Sequence, residues 1–197
     1  LANIKSSEWI LQSAVKAISD FKPQFSYLYI PHLDYAAQKL GPNSPEAQQS
    51  VVDLDRVLGE TITEVNHALG EDNVVWIIAS EYVITEVDHV SYPNRILREA
   101  GLLQVTEQED GEHLDLDSSA WALVDHQFSH IFVQDGCPEI IEQIQTLFAD
   151  LEGISEVLVG EARGKYGLEH ERSGEVILVS TSNSWQAYYW WLDDQQA

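Results

Sequence analysis

The chain has 197 residues, with 33 acidic side chains against 10 basic ones and a formal charge of −23. An apolar fraction of 44% with 10% aromatics excludes a disordered chain, and the charge excludes direct binding to nucleic-acid backbones or anionic membranes. Cys137 is the single cysteine, so no internal disulfide and no thiolate zinc site can form, and the free thiol leans toward a cytoplasmic, reducing setting.

Ser6 or Ser7 is expected to cap a first helix, whose Trp9, Ile10, Ala14, Val15 and Ile18 recur near a 3.6-residue period. Pro23 closes it, and "FSYLYI" (25–30) reads as a buried strand. The strand ends on "PHLDYAAQKLGP", with His32 and Asp34 at its exit and Gln38 one helical turn beyond Asp34. A turn cluster at 41–45 precedes a long helix from Pro45 to Leu69, with Pro suited to its first turn and Gly70 to its end. "NVVWIIAS" (73–80) is a continuous apolar run of the kind covered on both faces of a sheet, and Glu81 and Tyr82 follow it.

A helix over 94–101 with Asn94 as its cap comes next. Paired or consecutive strands over 121–133, a helix over 138–151, strands at 155–160 and 175–180, and an aromatic tail complete the chain. Strands alternating with helices imply an α/β fold, a layered α/β/α arrangement with a largely parallel sheet. The sequence has no repeat, linker or low-complexity tract, so residues 1–197 are expected to form a single domain. No apolar run approaches the roughly 18 residues a membrane span requires.

Ligands of open α/β sheets gather beyond the carboxyl ends of the strands. Asp34 and Gln38 at one strand exit and Glu81 at another are oxygen donors suited to a cation. Each also has a plainer reading: Asp34 as a helix cap, Glu81 as a solvated loop residue, Tyr82 as packing, and His170 as a solvated loop histidine. His126 and His130 are four apart in a strand-like segment, too far for one tetrahedral metal unless the chain bends. No glycine-rich phosphate loop and no serine-nucleophile motif is present.

Three segments in order resemble the alkaline phosphatase superfamily, in its type I phosphodiesterase/nucleotide pyrophosphatase branch. Branch members carry Asp-x-x-x-His running into Gly-Pro after a strand, where this chain has "DYAAQKLGP". They carry Ser-Asp-His-Gly-Met-Thr after a second strand, where this chain has "SEYVIT", and a later His, matched by His170 in "HERSGEV".

The resemblance implies a hydrolase of phosphate esters in which two divalent metals, usually zinc, clamp an in-line displacement. By position it assigns Asp34, Gln38 and His170 to one metal and Glu81 and Tyr82 to the other. Gln38, Glu81 and Tyr82 replace a His, an Asp and a His. These changes weaken the case for zinc and admit Mg²⁺ or Mn²⁺.

The resemblance also places the nucleophile in an N-terminal half that nothing here matches, and the absence of any Met fits a start lying upstream. The expected partners are a small phosphorylated substrate and the N-terminal half of the same polypeptide. The 197-residue chain alone is expected to be inactive. A non-catalytic member of the fold that binds a phosphorylated ligand or a protein, and a plain acidic interaction domain, are the competing expectations.

Overall fold

A computed structural model describes residues 3–196 as two compact units, 3–86 and 87–196. The first unit is built on helices. Helix α1 (Ile4–Phe21) is capped by Asn3, whose side chain accepts from the Lys5 amide at 3.0 Å. Ser6 and Ser7 therefore lie inside the helix and not at its start, and Ser7 is buried. The apolar face is Leu11, Ala14 and Ile18, while Trp9 is exposed.

Helices α2 (His32–Leu40) and α3 (Pro45–Leu69) follow, and α1 and α2 both pack on α3. Helix α3 keeps the bounds expected of it: Ser44 Oγ accepts from the Ala47 amide at 3.2 Å, and Gly70, at φ +88°, receives the end of the helix. Arg56 ties α3 to α1 through Glu8 at 2.7 Å.

The two segments expected as buried strands, 25–30 and 73–80, join no ladder. Their alternation survives. Leu28, Ile30, Val74 and Trp76 are half-buried, and Trp76 Nε1 donates to Asn66 on α3 at 3.1 Å. Phe25, Tyr27, Val75 and Ile77 face solvent, Val75 at 90% exposure. An apolar run reads as buried on both faces only if something covers its second face, and among the described residues nothing does.

The second unit contains all the assigned strands. A parallel pair joins β1 (His89–Ser91) to β8 (Ser184–Gln186), and an antiparallel pair joins β2 (Gln104–Gln108) to β3 (Gly111–Asp115). The main sheet runs β4–β5–β7–β6, from β4 (Ala120–Asp125), β5 (Phe128–Val133), β6 (Ile154–Val159) and β7 (Val176–Ser180). All its pairs are antiparallel, so parallel pairing is confined to β1–β8 among the described strands. The two-residue connection between β4 and β5 allows only a hairpin. The class is nonetheless mixed α/β with a parallel element.

Helix α4 (Pro93–Glu99) packs on β4, and α5 (Pro138–Phe148) on β6 and β7. Leu97, Leu103, Ile131, Ile144 and Phe148 form the centre of the core. Asn94 is not a helix cap, because Pro93 already opens α4. Its amide instead bridges the edge strand, donating to the Ala122 carbonyl at 2.8 Å and accepting from the Ala122 amide at 2.7 Å. It thereby stands in for a missing strand neighbour. No helix among the described residues is long and apolar enough to cross a membrane.

Candidate functional site

In the first unit, Asp34 sits in the first turn of α2, half-buried, and Tyr82 follows the 74–80 segment. The Tyr82 hydroxyl donates to Asp34 Oδ1 at 2.5 Å across 48 residues of sequence. The two segment ends expected to converge are therefore tied by a side-chain bond. Donation to the carboxylate holds the Tyr82 phenol well above its ordinary range, and partial burial and the Asp34 charge add to this. Glu81 is exposed and contributes its charge to the same phenol.

Tyr29, a residue that sequence reasoning treated only as part of a strand, belongs to this group. Its phenol is raised first by desolvation, then by the charges of Asp34 and Glu81. Both carboxylates thus act on the same two phenols. The signal was present in the sequence as an aromatic at the end of the segment leading to Asp34, but a strand pattern does not distinguish a wall residue from packing.

Gln38 lies exposed one turn along α2, with no hydrogen bond to Asp34 or Tyr82. His32 at the start of α2 is 8% exposed, and both its buried ring nitrogens lack a partner among the described residues. His170 belongs to the second unit, exposed in the turn before β7. Its Nδ1 accepts from the Arg172 amide at 3.1 Å, which in the neutral ring leaves the proton on Nε2. As oriented, that ring offers no free lone pair to a metal.

His126 stands in the β4–β5 turn at φ +49° and His130 lies on β5, where its Nδ1 accepts from the Gly174 amide at 3.1 Å. Burial pushes the His130 ring below the ordinary histidine range. Both are accounted for by local structure.

The elements define a mixed α/β chain, with helices and strands in both parallel and antiparallel pairs. The model of the type I phosphodiesterase / nucleotide pyrophosphatase family matches residues 1–197. The chain belongs to that family.

Similar solved structures include phosphonoacetate hydrolase from Sinorhizobium meliloti 1021 in complex with phosphonoacetate. It is 21% identical with a TM-score of 0.51, over 94% of this chain and 43% of the other. The same enzyme in complex with phosphonoformate is also 21% identical, with a TM-score of 0.50 and the same coverage. This chain therefore spans less than half the length of those hydrolase chains. A search of curated proteins finds no match.

The family generally depends on metal ions, so the donor set here can be tested against them. Zinc prefers nitrogen and sulfur donors, and among the described residues no group of three His, Cys, Asp or Glu side chains is placed to hold an ion. The residues do not fit a pair of zinc ions. Hard cations of the Mg²⁺ or Mn²⁺ type ask for less, one or two carboxylates with the remaining positions filled by water and substrate phosphate.

Proposed function

We propose that the protein hydrolyses esters of phosphate or phosphonate, and that this chain supplies one wall of the site without the nucleophile. The observation that carries the reading is the meeting of the α2 start and the 74–82 segment through Tyr82 and Asp34, with Glu81 beside them. A phosphorylated substrate is repelled by two bare carboxylates in a chain at −23. A divalent cation on Asp34 and Glu81 would reverse that local sign and stabilise charge developing on phosphorus-bound oxygens. Tyr29 and Tyr82 would line the substrate side as neutral hydroxyls. Gln38 and His170 are retained from the resemblance as candidate ligands.

The remaining parts are assigned to the N-terminal half of the same polypeptide. Two features support this: the 43% coverage of the similar hydrolases and the uncovered apolar faces of 25–30 and 75–78. On this reading residues 1–197 are part of one domain, and the family match through their whole length supports that.

The experiment is turnover of a chromogenic phosphodiester and a phosphonate monoester with Mg²⁺ or Mn²⁺. The 197-residue chain is expected to be inactive, and the polypeptide carrying the upstream half active and silenced by Asp34→Asn. Turnover by the short chain alone would refute the placement of the nucleophile. A second reading is a non-catalytic member that binds a phosphorylated ligand or a protein. It is favoured by Tyr82 occupying one oxygen of Asp34, and inactivity of the longer polypeptide with every divalent ion would decide for it.

A further inference from the structure

We propose that one extended apolar strand, from the part of the same polypeptide lying outside residues 1–197, inserts between segments 25–30 and 75–80 and pairs with the backbones of both. The inference rests on the reading that the missing half belongs to the same polypeptide, and adds where and how that half attaches.

Among the described residues, no amide or carbonyl of 25–30 or 75–80 bonds to another backbone group. Neither segment contains a helix or a turn, and Val74 leads into the second with strand dihedrals, φ −125° and ψ 129°. Exposure alternates along both: Leu28, Ile30 and Trp76 turn inward, and Tyr27, Tyr29, Val75 and Ile77 turn outward. Phe25, Tyr27, Tyr29, Val75, Ile77 and Ile78 are of strand-forming types, and no proline interrupts either run. Open edges of this kind are templates for a further strand, with main-chain bonds giving affinity and alternate side chains giving specificity.

The C-terminal ends of the two segments meet. The Tyr82 hydroxyl reaches Asp34 Oδ1 at 2.5 Å, and the Glu81 charge acts on the Tyr29 phenol. Neighbouring strands lie about 4.8 Å apart, and at that spacing the two backbones would form a ladder. They form none. Side chains cross a space that the backbones do not, which suits two strands about 10 Å apart with a third missing from between them. The source of that strand follows from length, since this chain covers 43% of the similar hydrolase chains. A second copy of this chain is the poorer occupant, because each copy carries −23 and repels the other.

The test is hydrogen–deuterium exchange without metal or substrate. In the 197-residue chain the amides of 25–30 and 75–80 are expected to exchange almost unprotected. In the polypeptide carrying the N-terminal half, both sets should slow together by at least about 100-fold. Ile77→Pro and Ile78→Pro remove consecutive amides, which point to opposite edges of a strand, so one of the two faces the gap. Both side chains are exposed and both amides unpaired, so neither change should move the urea midpoint of the 197-residue chain. In the longer polypeptide at least one of them should cut the protection of 25–30 about tenfold or more, while β5 and β7 stay protected.

Unprotected amides in the longer polypeptide, protection of one segment alone, or proline variants that leave 25–30 protected would each overturn the inference. Protection in the 197-residue chain that grows with its concentration would give the gap to a second copy and overturn it too. A longer polypeptide that is protected but hydrolyses nothing sinks the hydrolase reading and leaves the inserted strand standing; one that is active but unprotected does the reverse.

Discussion

Removing the Tyr82 hydroxyl perturbs the candidate site least and reports on it most clearly. In Tyr82→Phe the ring remains and the single bond to Asp34 Oδ1 is lost. A shielded hydrogen bond to a charged group contributes about 1.5–3 kcal/mol. Tyr82 is 46% exposed, so water replaces much of what is lost. The cost is expected to be about 0.5–1 kcal/mol, close to that of an exposed ionic contact.

With a urea slope of about 2 kcal/mol per molar, the midpoint is expected to fall by about 0.4 M. Asp34→Ala removes the partner and also a carboxylate from the first turn of α2, where it interacts favourably with the helix dipole. A double-mutant cycle cancels that second effect and should return the same coupling of about 0.5–1 kcal/mol. Coupling indistinguishable from zero, or a chain stabilised by Tyr82→Phe, would refute the claim that this bond joins the two segments.

Asn94→Ala should be more damaging, because Asn94 is buried and serves the Ala122 amide and carbonyl together. Leaving both unsatisfied is expected to cost about 2–5 kcal/mol, measured by urea denaturation; a loss under about 0.5 kcal/mol would mean water replaces the bridge. The Tyr82 phenol is raised in the folded chain, so the stability it contributes is complete below the unfolded tyrosine range near pH 10 and is lost as pH rises through the folded value. Tyrosinate absorbance should show Tyr82 and Tyr29 ionising above the ordinary tyrosine range near pH 10, and Asp34→Asn should lower Tyr82 toward that range. The Arg98 guanidinium holds the Glu112 carboxyl below the usual carboxylate range. Its contribution is present above about pH 4.3 and is lost as pH falls through the depressed value, so Glu112→Gln should flatten the acid limb of a stability profile.

The elements legible in the sequence were those whose signals are local. Helix α3 carries its own punctuation, Ser44 and Pro45 at one end and Gly70 at the other, and the β4–β5 hairpin carries a dense alternating pattern. The misread positions depend on partners remote in sequence. Asn94 is a good cap by type, yet its amide serves Ala122, 28 residues on. Ser6 and Ser7 also suit a cap, but Asn3 reaches the free amides first. For 25–30 and 73–80, composition specifies two apolar faces but not what covers the second. At the site, Asp34, Glu81 and Tyr82 could be read as lying just past the ends of two apolar segments, although those segments are not paired strands. Tyr82 acting as a donor to Asp34 could not, because it depends on a contact 48 residues away.

The convergence of Asp34 and Glu81 on one ion is tested most directly by Mn²⁺ affinity in Asp34→Asn, Glu81→Gln and the double variant. Each single change is expected to weaken binding at least tenfold, and the double variant should lose little beyond the worse single one, because both carboxylates serve the same cation. Losses that simply multiply, or a Glu81→Gln chain that binds as the wild type does, would contradict the account.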